Sequence, residues 1–469
     1  MIRRSPRWAS CTGPGALLCT VLALYVALHL LEPRLSITWS YAHLWRTPAL
    51  GWLGVVLTLA LPPATLAVWR HPALAKPLSA LPTWQVVATA ACLLGALGYA
   101  SLRHPSHPTT IDPPLYVIAI SRGEVNARHM LTTWSLGRLA GALRPWMAPA
   151  SVILLMSAVY GTVTYLALAA SARRLVRTRG EALALTLLSC SAFGVVQMSF
   201  GVSNSRSVAL AIVSVFCWTA FRALDRAGSA MWPFVIGISG PFWYNGLILV
   251  APSVVVLAAE LLRRPGGRRQ VVVGIVAGLA CAGLATVPVY GAPFAWATFL
   301  RDAHAASSCE LGVSPTSCLL PPSYIFTARH ALEVLNVWVL TDGVGLLLIA
   351  VTGTWLAARL VTRREWDPKA AILAPIVAGA LAFSMAMDNL FGNFANWDVF
   401  SYGAAATGLL GGYAFVTWGR ECRTTFRLVL GLALAAAGVH LLARLNAMHL
   451  DLQFHIAESP PPGTPLVNH

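Results

Sequence analysis

The chain has 469 residues, of which 57% are hydrophobic and 11% charged, with a mean hydropathy of +0.67. That balance excludes an ordinary soluble globular protein. The formal charge of +16 would point to nucleic acid in a soluble chain. Here the Arg residues flank apolar runs, so they are read as orienting signals that also contact anionic lipid, and no nucleic-acid partner is expected.

Apolar stretches long enough for a bilayer core of roughly 30 Å recur along the whole chain. Met1–Arg7 is basic and precedes the first of them. No small-residue cleavage site follows before Glu32-Pro33-Arg34, so the run reads as an uncleaved membrane helix. The predicted spans are 15–32, 50–69, 84–102, 148–171, 182–200, 207–222, 231–240, 243–262, 270–290, 343–361, 370–386, 399–418 and 427–446. The stretch 231–262 is too long for one helix and carries Gly240-Pro241, which predicts two short helices or a re-entrant loop. The fold class is therefore all-α, a polytopic transmembrane bundle of about 12–13 membrane helices, with interfacial helices in the outer loops.

With a cytoplasmic N-terminus, the clusters Arg173/Arg174/Arg177/Arg179, Arg263/Arg264/Arg268/Arg269 and Arg363/Arg364 all fall inside, as the positive-inside rule requires. Loops 103–147, 291–342 and 387–398 then fall outside and carry several of the seventeen Asp and Glu residues. Seven cysteines lie in apolar helices or on the inner side, Cys422 among them. Cys309 and Cys318 share an outer polar loop, where a loop-closing disulfide is the natural reading in an oxidising compartment. Metal ligation there lacks a neighbouring His or Cys pair. The chain divides into N-terminal membrane helices (1–83), a membrane core (84–446) and a partly disordered tail (447–469) ending in the Pro-rich segment Glu458–His469.

Loop 103–147 is the richest in chemistry. Asp112 lies beyond a membrane helix, beside Pro113 and Pro114. A carboxylate there can act as general base toward a hydroxyl or hold a divalent cation, Mg2+ or Mn2+; it can equally be a solvated turn residue. Arg122, Arg128 and His129 follow, and a guanidinium fork suits phosphate oxygens, though snorkelling Arg residues are as common. Apolar residues from Met130 to Leu143 keep helical spacing, predicting a helix in the membrane interface. Asn204 and Arg206 sit in a short outer turn, and Trp243, Tyr244 and Asn245 follow Pro241. The Asp302/His304 pair is a weak metal motif. In 387–398, Asn396, Trp397 and Asp398 combine amides, an acid and an aromatic face, which suits sugar binding; helix capping and an aromatic belt use the same residues. Charges in mid-span are nearly absent, which argues against an ion-coupled transporter.

These features together resemble the polytopic GT-C-type glycosyltransferases that use polyprenyl-phosphate sugars. Asp112 matches the essential Asp of their first large outer loop. Asn126-Ala-Arg128-His129-Met-Leu is similar to the Asn-Pro-His-His-Leu-Leu stretch of some bacterial members. Asn396-Trp397-Asp398-Val-Phe resembles their late Asp-Trp-Asp-Leu-Phe segment. The departures are Asn396 for the first Asp of that segment, Arg128 for the first His, the absence of an acidic neighbour beside Asp112, and two extra N-terminal helices. The resemblance implies a bacterial inner-membrane enzyme that moves a sugar from a polyprenyl-phosphate donor to a lipid or cell-envelope glycan on the outer face. Asp112 would be the catalytic base, Arg122, Arg128, His129 and Arg206 the donor-phosphate ligands, and Asn396, Trp397 and Asp398 the sugar or acceptor ligands. A lipid-linked glycan flippase without transferase activity and a structural subunit of envelope assembly are the alternatives.

Overall fold

The computed structural model describes residues 9–30, 48–70, 117–118, 120–126, 129–196, 198–199, 206–226, 229–307, 322–363, 366–386 and 402–449. Among these residues there are helices and no strands. The chain is an integral membrane protein. Six described helical stretches are long and apolar enough to cross a bilayer, and three shorter apolar ones, Gly13–Leu28, Gly51–Ala67 and Gly246–Leu262, accompany them. The helix expected at 84–102 lies outside the described residues.

The main helices are α1 (Ala9–Leu30), α2 (Pro48–Arg70), α3 (Met130–Leu143), α4 (Pro149–Leu175), α5 (Arg179–Cys190), α6 (Ser207–Leu224), α7 (Met231–Trp243), α8 (Ala251–Leu262), α9 (Gly267–Leu284), α10 (Trp296–Ser307), α11 (Ala328–Leu348), α12 (Thr354–Arg363), α13 (Pro368–Ala386), α14 (Gly403–Glu421) and α15 (Arg423–His449). Helix α14 is buried on all sides over most of its length, as expected for a helix that is apolar all round. Its small residues set its distance from its neighbours. A Cβ on Gly412 would meet Leu185 of α5, and one on Gly411 would lie 2.5 Å from the Gly345 carbonyl of α11. Lipid is as apolar as a side chain, so such close van der Waals packing drives helix association within the membrane. Helices α7 and α9 join in the same way, with Gly274 and Gly278 against Phe234 and Ile238. Helices α1 and α2 pack on α15, so both chain termini meet on one flank of the bundle.

From α4 onward the spanning segments alternate in direction, with α11 and α12 forming one continuous segment. This collects Arg173, Arg174, Arg263, Arg264, Arg359 and Arg420 at one end, here the basic end. Arg206, Tyr244, Ala386 and Tyr402 lie at the other, the polar end. At the basic end the scarce acids tie helices together. Glu181 caps α5 with Thr178 in a capping box and holds Arg420 of α14 through two bonds of 3.1 and 3.0 Å. Asp225 meets Lys369 at 3.0 Å and Arg174 at 3.8 Å. Glu260 accepts from Arg263 and Trp366, Glu421 from Arg359, and Asp367 from Tyr413 at 2.5 Å. Burial raises the affinity of the Glu181 carboxyl for its proton, but Arg420 and the amides of Thr178 and Arg177 outweigh it and hold that carboxyl below its ordinary range.

Three local details depart from the sequence expectations. The 231–262 break falls at Tyr244, in an extended conformation (φ −154°, ψ 117°), rather than at Gly240-Pro241; α7 runs through Pro241 for a further residue pair before ending. Helix α11 begins at Ala328, capped by Thr327, whose hydroxyl accepts from the His330 amide. Residues 328–342, expected in an outer loop, are therefore helical. Cysteines 19, 190, 217 and 281 are free, whereas Cys422, grouped in the sequence with the cysteines of apolar helices and the inner side, is disulfide-bonded; the expected Cys309–Cys318 pair lies outside the described residues.

Candidate active site

The expected interfacial helix, Met130 to Leu143, forms as α3. Its first turn inserts Met130 and Leu131 among Phe242, Ala282 and Phe299, from α7, α9 and α10. Farther along, Leu136 and Ala140 pack with Ile120, Val152 and Ile153 at the start of α4. Two apolar clusters, one at each end of a short helix, lay α3 across the ends of the spanning helices. A hydrogen bond fixes the joint: Thr132 Oγ1 donates to the Trp243 carbonyl at 2.8 Å. Thr133 Oγ1 accepts from the Asn126 amide at 3.1 Å, which folds the preceding turn onto the helix.

This seating brings His129 into the bundle. It is buried, and its ring lies against Tyr244 with centroids 4.8 Å apart. Tyr244 in turn meets Tyr402 at 5.9 Å, and Tyr402 meets Phe383 at 6.3 Å. The extended backbone at Tyr244 allows this by turning its ring inward where α7 ends. Beside this row, His330 is fully buried and bonds the Met385 carbonyl through Nε2 at 2.8 Å. A carbonyl only accepts, so Nε2 carries the hydrogen. The other ring nitrogen faces Glu333 at 3.6 Å. Glu333 also accepts from Tyr324 at 3.0 Å and from Arg329 at 3.2 Å. Trp338 donates to Ser384 at 3.1 Å, which keeps α11 and α13 in register beneath these groups.

His129, Met385 and Tyr402 have one further property in common. His129 follows the 103–128 segment directly; Met385 comes just before 387–401, and Tyr402 just after it. The imidazole and aromatic rings thus form a floor at the roots of the two loops in which the sequence placed its principal acids. Arg206, at the start of α6, is buried. Arg122 lies on an exposed turn and pairs with Glu124 at 3.7 Å. Asp112, Arg128, Asn396, Trp397, Asp398, Cys309 and Cys318 lie outside the described residues. Among those described, no group of three or more His, Cys, Asp or Glu side chains is placed to hold a metal ion.

Tyr402, His330 and Glu333 were not singled out in the sequence. For the last two the signal was present: Thr327 as a cap followed by Ala331, Val334 and Trp338 at helical spacing. Polar residues in that stretch caused it to be read as loop.

No family model matches the chain, and no curated protein matches it either. Solved structures do. ArnT from Cupriavidus metallidurans bound to undecaprenyl phosphate is 15% identical, with 82% of each chain covered and a TM-score of 0.51. The fold is of the GT-C type. The same protein in the apo state aligns at 12% identity over 78% of this chain and 77% of that one, with a TM-score of 0.49. The Archaeoglobus fulgidus oligosaccharyltransferase, in complex with Zn and sulfate, is 16% identical over 76% of this chain, with a TM-score of 0.47. The present chain spans about half, 53%, of the oligosaccharyltransferase. At these identities the likeness is one of fold.

Proposed function

We propose that the chain is a membrane glycosyltransferase, moving a sugar from a polyprenyl-phosphate donor to a lipid or cell-envelope glycan hydroxyl at its polar end, which would face outward. The observation that carries this reading is the row His129–Tyr244–Tyr402–Phe383 at the roots of the loops bearing Asp112 and Asp398. A buried imidazole beside a row of tilted aromatic rings offers both a hydrogen-bond donor to phosphate and apolar faces for a pyranose or a prenyl chain. The undecaprenyl phosphate named with the ArnT structure fits the lipid-linked donor.

In this mechanism the acceptor oxygen attacks the anomeric carbon as its proton passes to Asp112. The bond from that carbon to the phosphate oxygen breaks, the configuration inverts, and polyprenyl phosphate leaves with the electron pair. Arg122, Arg128, Arg206 and His129 would bind the phosphate; stabilising such developing charge is commonly the largest catalytic contribution. Asn396, Trp397 and Asp398 would hold the sugar or acceptor. If a divalent cation takes part, Asp112 is the ligand that the sequence offers.

The test is transfer by the purified protein in proteoliposomes carrying a defined polyprenyl-phosphate sugar. Asp112→Asn should lower the rate by roughly 10²–10⁴-fold, the usual contribution of a positioned general base, while binding of the donor persists. Transfer by this variant at the wild-type rate would overturn the mechanism. Movement of the donor across the bilayer without sugar release would favour the flippase, which one feature supports: an acid, Asp342, buried at mid-span.

A further inference from the structure

That acid was expected in an outer loop. The helical stretch Ala328–Thr362 has 35 residues and at about 1.5 Å per residue exceeds the bilayer core. Asp342 lies near its middle. Its backbone leaves the helical region there (φ −158°, ψ 68°), dividing α11 in two. Oδ1 accepts from the Gly345 amide at 2.9 Å and so caps the second half. Oδ2 has no hydrogen-bond partner, although the residue is only 3% exposed.

The surroundings are shaped around this carboxylate. A Cβ on Gly345 would lie 2.1 Å from Oδ2, and one on Gly408 of α14 would lie 3.3 Å from it. A Cβ on Gly343 would strike the Tyr25 hydroxyl at 2.2 Å. Next to Asp342 is a cavity of about 10 Å³, enough for one small occupant. Its walls include Ser191, just past the end of α5, and His440 from α15. Ser189 Oγ, on the α5 face against Gly408, also has no partner.

We propose that this cavity loads a single small monovalent cation, a proton or a sodium ion, whose charge neutralises Asp342 Oδ2 in the middle of the membrane. A bare carboxylate at that depth is expensive. No described Lys or Arg forms an ion pair with it. Among the groups facing it from the packed helices, the titratable ones are His440 and Tyr25; α5 and α14 present serine and glycine. His440 is not the counter-charge. Its Nε2 donates to the Leu340 carbonyl at 3.1 Å and its Nδ1 bonds the Tyr25 hydroxyl at 2.8 Å, so both ring nitrogens are directed at groups other than the carboxylate. A cap alone would need only Oδ1. The discontinuous helix, the untied oxygen and the small cavity that Asp342 helps to line match the way membrane proteins bind ions at broken helices.

The experiment is thermal unfolding of the full chain in nanodiscs, across pH and with sodium chloride exchanged for choline chloride at constant ionic strength. The wild type should show a dependence on sodium if that ion is the occupant, or on pH alone if the proton is. Asp342→Asn keeps the Oδ1 cap and removes the charge, so it should lose the sodium dependence or, for the proton, the pH dependence that persists in a Glu181→Gln background, from which the acid limb of Glu181 is absent. Parallel wild-type and variant profiles in both titrations would overturn the proposal. Ser191→Val serves if the Asn variant does not fold, because it adds bulk to a wall of the cavity and leaves the acid in place. A sodium or pH response identical to wild type in that variant would also count against the site. The readout is independent of sugar transfer, so its outcome is separable from the proposed activity.

Discussion

The two ends of the bundle use charge differently. At the basic end, besides the local pair of Glu260 with Arg263, ion pairs join segments far apart in sequence: Glu181 with Arg420, Asp225 with Lys369 and Arg174, Glu421 with Arg359. At the polar end the described pairs are local: Arg122 with Glu124, Arg301 with Asp302, Arg329 with Glu333. There the helices meet instead through rings and single hydrogen bonds. The lesson is that one end is cross-linked as a scaffold, which leaves side chains at the other end available for ligands.

The strongest way to break this contrast is at Glu181. Glu181→Ala removes the Glu181 half of the α5 capping box and leaves the Arg420 guanidinium, which is about three-quarters buried, without its carboxylate. The expected cost is about 1–3 kcal/mol, seen as a lowered unfolding midpoint in nanodiscs. The same residue makes the contrast depend on pH. Its carboxyl is held below the unfolded value, so its contribution is complete above about pH 4.3 and fades as pH falls through the folded value. Glu181→Gln should flatten that acid limb, and an unchanged limb would mean that the tie to Arg420 is not energetic.

Smaller effects are expected at the polar end. Thr132→Val keeps the shape of the side chain but removes the bond to the Trp243 carbonyl, at a cost of about 1 kcal/mol; the sharper readout is faster hydrogen exchange in α3. Arg122→Ala should leave the unfolding midpoint unchanged, because both partners of its ion pair are exposed. In the transfer assay it should lower kcat along with kcat/KM, because the leaving phosphate loses a counter-charge. A clear loss of stability in Arg122→Ala would show that the polar end is cross-linked after all.

Much of the fold was legible before any coordinates. Long apolar runs and Arg clusters give the spans and their alternation, and the 3.6-residue period from Met130 gives α3 with both of its ends. The site was legible only as separate loops. Nothing in the spacing relates His129 to Tyr244 and Tyr402, which are more than a hundred residues apart in sequence. Residues 328–342 were misread because the polar side chains His330, Glu333 and Asp342 lower the hydropathy of a helix whose first turns extend beyond the apolar layer. The broken helix likewise has no local mark at Tyr244, since the proline that signals it lies three residues earlier.

The sequence by itself determined that this is a membrane bundle with two unlike ends, because apolar length and the placement of Arg act locally along the chain. Only the tertiary structure decided which acids are tied and which are not. Glu181 and Asp342 are both single carboxylates beside apolar helices in the sequence. One meets a guanidinium from α14, and the other faces glycines and a small cavity, since the partner of each is supplied by helices distant in the chain.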